Sequence, residues 1–494
     1  MSDTLADSYD EFPYESQPEP PTHPDHQATV ATLMGMDPAP PERCRVLELG
    51  CATGGNLVPM AATLPQSEFV GLDLSPRQIT AAQATADALG LTNVTLLARS
   101  LTEVDDSFGT FDYILCHGVY SWVPAAVQDR ILEICRRNLT PRGVAYVSYN
   151  TYPGWHLRGA ARDLMRFHTE GGAAPAERVR QARAILDYAV ENLPRHNTAY
   201  HRSLKDEAQW LSKTPDSYLF HEHLEESNQP LYFHEFVARA RAGGLQYVGE
   251  AAYQVNPNAL APEVRETLRR LAPDRVRQEQ YVDFLTNRTF RRTLLCHAEV
   301  PLPEAPSAEA VPRCLLTAVA RPTTENADVA SEEPVEFRTD EGYSVTTAMP
   351  LIKAALLSVF DAWPRAVSFD ELWRLVCERL PVPPGEEARP ALAEAMLQCW
   401  LTNVVELHVS RPPAAATVGE RPVASPLARL QAKAGAPRIC NLRHRTVALD
   451  DVDRRLVQLM DGTRDVAALR RELGGPEEFD ARLRNLARNS LVSA

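Results

Sequence analysis

The chain has 494 residues, 44% of them hydrophobic, with 51 basic against 65 acidic side chains and a formal charge of −14. That length accommodates roughly three domains of about 150 residues each, and the acidic balance gives no diffuse attraction to nucleic-acid phosphate or anionic lipid. Nucleic-acid and membrane partners are therefore not expected. No apolar run approaches the roughly 18 residues of a membrane span, and Met1-Ser2-Asp3-Thr4 is acidic where a secretion signal is basic. The nine cysteines are odd in number and none stands in a C-x-x-C pair, which suits a reducing cytoplasm and offers no zinc site.

In chain order, residues 1–40 are proline-rich (Pro18, Pro20, Pro21, Pro24, Pro38, Pro40) and read as an N-terminal extension, or as a lid carrying Tyr9, Tyr14 and His23. From residue 41, short apolar strands at Arg45–Gly50, Phe69–Asp73, Val94–Ala98, Phe111–His117 and Val144–Asn150 alternate with helical patterns at Leu57–Leu64, Pro76–Leu89 and Ala125–Asn138. This alternation predicts an α/β fold with right-handed crossovers and a parallel, Rossmann-like sheet. Asn56 is placed to cap the first of these helices, and Ser75-Pro76 to open the second.

Residues 156–230 break the alternation with a helical insertion, in which Ile185, Leu186 and Val190 share one side of a helix. A helix, Gly243-Gly244 and the strand Leu245–Glu250 follow, a unit that resembles the sixth-strand unit of class I methyltransferases; that resemblance implies Arg292–His297 as an antiparallel seventh strand, after a smaller insertion around 255–290. The α/β core thus spans 41–300, and the same resemblance implies 221–300 as a regulatory segment. Residues 301–336 read as a proline-marked linker, 337–412 as a winged-helix-like module and 413–494 as a second small helical module of similar type. Neither module has a strongly basic recognition helix, so peptide binding or self-association as a homodimer is favoured over DNA.

The chemistry concentrates in Val46-Leu47-Glu48-Leu49-Gly50-Cys51-Ala52-Thr53-Gly54-Gly55-Asn56 and, one helix later, Phe69-Val70-Gly71-Leu72-Asp73-Leu74. A strand entering a turn of small residues, a helix N-terminus and a second strand ending in a carboxylate form a nucleoside cofactor site. Gly50-x-Ala52-x-x-Gly55 fits the dinucleotide pattern loosely. Glu48 separates the two ligand classes. A carboxylate two residues before the turn opposes a pyrophosphate but suits the cationic S-adenosylmethionine, so the methyl-donor reading is favoured and the dinucleotide reading is its competitor.

The segments Tyr9-Asp10-x-x-Pro13-Tyr14, Thr22-His23-Pro24, Glu48-Leu49-Gly50, His117-Gly118-Val119-Tyr120-Ser121-Trp122-Val123-Pro124 and Ser148-Tyr149-Asn150-Thr151-Tyr152-Pro153-Gly154-Trp155 resemble a bacterial family. Its members are class I methyltransferases with an attached regulatory domain, among them the rickettsial outer-membrane-protein lysine methyltransferases. The resemblance covers residues 8 to 300 well and the C-terminal modules more loosely. It implies an S-adenosylmethionine-dependent enzyme with a protein substrate, lysine for some members. It further implies that Glu48, Gly50, Ala52 and Gly54 form the methionine-side loop, that Asp73 takes the ribose hydroxyls, and that Ser100 replaces the acidic residue that usually meets the adenine amine. Asn56, Leu74, Leu101, His117, Gly118 and Val119 complete the expected cofactor set. Ala52 departs from the glycine commonest in that loop.

Tyr120, Trp122, Tyr149, Tyr152 and Trp155 follow the ends of the fourth and fifth strands and are the candidates for an aromatic acceptor pocket, which would desolvate a lysine and lower its pKa. His117 is equally a cofactor or proton-handling residue and a hydrogen-bonded strand-end histidine. His221, Glu222, His223 and Glu225 have the composition of metal ligands, but nothing completes a site and no metal is expected. A small-molecule methyltransferase with regulatory modules and a non-catalytic S-adenosylmethionine sensor are the alternatives.

Overall fold

Strands that are apolar on both faces have to be covered on both faces, and in the computed structural model helices do this on either side of a seven-stranded sheet. The structure describes residues 16–171, 174–193, 198–252, 260–272, 274–318, 320–324, 327–415, 417–475 and 478–493; Tyr9, Tyr14 and the motif around them lie outside these residues. The sheet comprises β1 (Arg45–Leu49), β2 (Glu68–Asp73), β3 (Val94–Ala98), β4 (Phe111–Cys116), β5 (Leu139–Asn150), β6 (Leu245–Glu250) and β7 (Phe290–His297). Its order is β3-β2-β1-β4-β5-β7-β6, with only β7 antiparallel to its neighbours. This is the class I methyltransferase arrangement, and the order in which strands are added switches direction between the parallel neighbours β1 and β4, where such sheets bind ligands.

On one face lie α1 (Pro24–Leu33) and α2 (Leu57–Thr63), with α3 (Pro76–Ala88) following β2. Helix α4 (Ala125–Arg137) covers the opposite face. The insertion is built from α5 (Gly154–His168), α6 (Pro175–Asn192), α7 (Thr198–Leu211) and the short α8 (Asp216–Leu219), which runs into a wide π-type turn at Phe220–Leu224. Met165, Val179, Leu186, Leu204, Leu219 and Phe220 give it a core of its own, with Ile185 and Val190 packed at the margin.

Helix α9 (Phe233–Ala242) leads through the glycine pair to β6, and α10 (Pro262–Leu271) and α11 (Arg275–Thr286) precede β7. Here a wholly buried guanidinium, Arg291, pairs with Glu250 at 3.0 Å, Glu279 at 3.1 Å and Asp283 at 2.7 Å, tying β6, β7 and α11 together. Removing one member would leave the others buried without compensation.

Two regions differ from their sequence-based expectations. Residues 1–40, expected as an extension or lid, contain the helix α1, which is part of the core: Ala28, Val30, Ala31 and Leu33 are buried there. Asp25 of α1 accepts hydrogen bonds from the backbone N–H groups of Val409 and Ser410 at 2.9 and 2.8 Å, and its other oxygen lies 2.8 Å from His408 Nδ1. The described part of 301–336, expected as a linker, is folded. Its strand β8 (Leu315–Thr317) is the centre of a small sheet, and β9 (Arg321–Pro322) and β10 (Val335–Arg338) join β11 (Ser344–Thr347) in another. Proline frequency suggested a linker, but Leu316 and Thr317 are fully buried, so local apolar content outweighed regional composition.

The partners of β8 are β12 (Val367–Ser368) and β13 (Glu406–His408); α12 (Pro350–Ala362) and α13 (Phe369–Arg379) pack on this sheet, and α14 (Arg389–Leu401) packs against α12 and the turn Ala308–Arg313. The last module holds α15 (Pro426–Lys433), the hairpin β14 (Arg438–Cys440) and β15 (Thr446–Ala448), then α16 (Asp451–Leu459), α17 (Val466–Glu472) and α18 (Phe479–Arg488). No helix among the described residues is long and apolar enough to cross a membrane.

Candidate active site

The central strand β1 pairs on both sides, setting Glu48 opposite Gly71 of β2 and Leu115 of β4. Its side chain is therefore only 3% exposed. The chain leaves the strand through Gly50 and Cys51, whose N–H groups both donate to Leu72 O, at 2.8 and 2.9 Å. Gly50 has φ +79°, and a Cβ there would meet Val119 Cγ2 at 2.5 Å. Ala52 also lies in the left-handed region, at φ 47°, and its N–H donates to Asp73 Oδ2 at 2.9 Å, while Asp73 Oδ1 accepts from Ser75 N at 2.9 Å. One carboxylate thus fixes both turns at the strand ends.

A cavity of about 670 Å³ opens above these turns. Glu48, Gly50, Ala52, Asn56, Asp73, Leu74, Leu101, His117, Gly118, Val119 and Trp122 all line it. Gly54 and Ser100 do not. Gly54 is a packing position at φ +72°, where a Cβ would meet Val58 Cγ2 at 2.9 Å. The Ser100 hydroxyl is occupied by local structure: it accepts from Thr102 N at 3.2 Å and lies 2.7 Å from Thr102 Oγ1, capping a short turn. Arg99 and Leu101, on either side, face the cavity instead.

Asn56 stands at the start of α2 but makes no side-chain cap. Its Nδ2 donates to Glu48 Oε1 at 2.7 Å, and its Oδ1 accepts from Glu19 N, Thr22 Oγ1 and His444 Nε2 at 3.0, 3.0 and 2.8 Å. The segment before α1 is drawn over the cofactor loop in this way. A Cβ on Gly55 would lie 2.0 Å from Ser16 O, and Glu19 pairs with Arg292 at 2.8 Å. Of the residues proposed for a lid, His23 caps α1 by accepting from Asp25 N at 3.2 Å, and burial holds its pKa down at about 4.

Glu48 Oε2 is buried with no hydrogen-bond partner among the described residues. Burial pushes the carboxyl pKa up to about 7, against the bond from Asn56 and with Asp73 adding to the rise. An orphaned buried carboxylate oxygen in a cavity wall fits a cationic ligand and disfavours a pyrophosphate. The residues present therefore fit S-adenosylmethionine. His117 also lines the cavity; its Nδ1 lies 2.9 Å from Tyr146 Oη, and burial lowers its pKa.

The five aromatic candidates separate. Only Trp122 reaches the cavity. Trp155 supports it edge-on from 6.3 Å. Tyr149 stacks on Phe236 at 4.1 Å with its hydroxyl 3.0 Å from Thr293 Oγ1, and Tyr120 meets Phe236 edge-on at 5.2 Å. Both belong to the core behind the site, because strand alternation and the turn after β4 direct them toward α9. Tyr152 stacks on His156 at 4.1 Å, away from the cavity lining. The insertion side of the cavity is instead lined by Arg158 of α5, Trp210 of α7, and Ser217, Tyr218, His221 and Glu222 around α8. Sequence reasoning noticed only the His221–Glu225 run among these, as a metal-like composition. Among the described residues no group of three or more potential ligands is arranged to hold a metal.

Sheet order, strand-end loop and carboxylate pattern together define a class I, S-adenosylmethionine-dependent methyltransferase. Comparison with known proteins agrees: residues 47–145 match the family model "Methyltransferase domain", 215–297 "Predicted methyltransferase regulatory domain", and 420–478 "PKMT, C-terminal winged helix domain". The uncharacterized protein RP789 of Rickettsia prowazekii is 36% identical over 479 residues, covering 94% of this chain and 86% of that protein. PKMT2 from Rickettsia typhi superposes with a TM-score of 0.86 at 29% identity, over 98% of this chain and all of that one, and its complex with AdoHcy matches equally well. The chain belongs to this family of rickettsial-type methyltransferases. The winged-helix match falls on the last module, whereas the sequence pattern had placed its clearest winged-helix order in the module before it.

Proposed function

We propose that the chain is a cytoplasmic protein lysine methyltransferase. The observation that carries this reading is the continuity of the cavity, whose lining runs from Glu48 and Asp73 at the strand ends to Trp122, Trp210 and Tyr218 under the insertion. A cofactor and an acceptor side chain both need room in it. S-adenosylmethionine supplies an electrophilic methyl group on a sulfonium when bound.

In this reading Glu48 opposes the ammonium of the cofactor, Asp73 takes the ribose hydroxyls, and Leu74, Leu101 and Val119 provide apolar wall. Trp122 and the insertion exclude water and hold the acceptor nitrogen in line, which is most of what such a displacement requires. Aromatic walls receive a lysine as a cation and, by desolvation, help it to lose a proton. A lysine acceptor is further supported by the PKMT family model and by the likeness to PKMT2.

The test is incubation with radiolabelled S-adenosylmethionine and bacterial protein extract, followed by acid hydrolysis and amino-acid analysis. Label is expected in methyl-lysine. Label recovered only in small extractable products would establish the small-molecule alternative, and no transfer with intact cofactor binding would establish the sensor.

A further inference from the structure

Glu222 belongs to the run that looked like a metal site, and the cavity gives it a different use. It stands in the π-type turn Phe220–Leu224, half-buried in the wall of the cavity. Its carboxylate has no hydrogen bond or ion pair with the described side chains, although two arginines are near. Arg158 is committed to Glu207 at 3.0 Å and lies over the rings of Trp155 and Trp210 at 5.1 and 4.4 Å. Arg162 donates through Nη2 to Glu225 O. His221 pairs with Glu225 at 3.2 Å, and His223, held well below its ordinary pKa by burial and the two arginines, lies 3.5 Å from Glu207. Two arginines thus face three carboxylates, and Glu222 is the carboxylate left over.

We propose that Glu222 receives the acceptor ammonium in the cavity and takes its proton. The proposal rests on the lysine reading above and names the residue that would make it work. In the step, an Nζ–H bond of the ammonium breaks, its electron pair stays on Nζ, and the proton forms an O–H bond on the Glu222 carboxylate. The products are a neutral amine and a neutral acid, so no net charge is left in the desolvated pocket. Trp122, Trp210 and Tyr218 are also in the lining and supply aromatic surface beside the same cation.

The protonation balance suits this work. Burial pushes the Glu222 pKa up to about 7, with Arg158 and Arg162 as the opposing charges. A carboxyl poised there is ionised when an ammonium arrives and is basic enough to hold its proton. Glu48 is pushed to about 7 on the strand-end side of the same cavity. The cavity therefore holds two carboxylates that burial has left undercompensated, one beside the cofactor loop and one in the insertion.

The experiment is calorimetric titration of the full chain, saturated with S-adenosylhomocysteine, against Nα-acetyl-lysine N-methylamide and its norleucine counterpart. The lysine compound is expected to bind at least tenfold tighter than norleucine, with affinity rising as pH passes through about 7 and Glu222 ionises. Glu222→Gln should abolish both the preference and the pH dependence while leaving S-adenosylhomocysteine affinity unchanged, and Glu222→Asp should restore the pH dependence at reduced affinity. Equal binding by wild type and Glu222→Gln, or no lysine preference in the wild type, overturns the assignment. The labelled-methyl assay separates this failure from failure of the lysine reading: methyl-lysine formed equally by Glu222→Gln removes Glu222 alone, whereas absence of methyl-lysine from the wild type removes the acceptor class.

Discussion

On the strand-end side of the cavity, the lining residues follow one another closely after β1, β2 and β4, and backbone bonds hold them: Gly50 and Cys51 to Leu72, Ala52 to Asp73. On the insertion side, Arg158, Trp210, Tyr218 and Glu222 come from three helical segments and a wide turn, held by side-chain pairs such as Arg158–Glu207. The first side is specified by conformations that few residues can adopt. The second is specified by which side chains happen to meet. One cavity therefore joins a chemically restricted surface to one built from converging side chains.

Four substitutions test that contrast. Asp73→Ala removes the carboxylate that binds both turns and should weaken S-adenosylmethionine binding by about 2–3 kcal/mol, roughly 30- to 150-fold. Calorimetry showing unchanged affinity would remove Asp73 from the site. Glu48→Gln should act in two opposite directions. It should weaken cofactor binding by about 2 kcal/mol through loss of the charged acceptor.

The same substitution should stabilise the ligand-free fold at high pH. The folded carboxyl titrates near 7 rather than near its ordinary 4.5, so its favourable contribution is complete below about 4.5 and is lost as pH rises toward 7. Thermal unfolding should find Glu48→Gln more stable than wild type at pH 8 and nearly equal at pH 4. A variant that loses stability at pH 8 contradicts the uncompensated state of Glu48.

Trp122→Ala stands at the junction of the two sides. It should lower methyl transfer about tenfold while changing cofactor affinity less than twofold, because it orients the acceptor more than it holds the donor. Equal losses in both would move Trp122 to the cofactor wall. The smallest effect belongs to Ala52→Gly, which relieves a left-handed alanine and should raise stability by about 1 kcal/mol, measured by denaturant unfolding.

The same contrast explains what could be read in advance. The parallel strands β1 to β5 and the Glu48–Asp73 pattern were legible because parallel pairing and close backbone approach restrict residue choice, and the antiparallel β7 through the family resemblance. Ser100 and Asn56 were harder, since both sit where expected along the chain but have hydrogen-bonding partners that a linear pattern does not display. Tyr120 and Tyr149 looked like pocket residues because aromatic density at a strand end is visible, whereas the direction of each ring depends on Phe236 more than 80 positions later. Trp210 carried no signal and Glu222 only a metal-like one, for their place in the wall arises only after the insertion has packed.

The bond between His444 and Asn56 spans 388 positions. During synthesis the strands of the sheet and the cofactor loop are made long before His444 leaves the ribosome, so the loop acquires this partner only once the hairpin of β14 and β15 has emerged. A chain cut short before the final module carries the motif without the bond that braces Asn56 from the far end of the sequence.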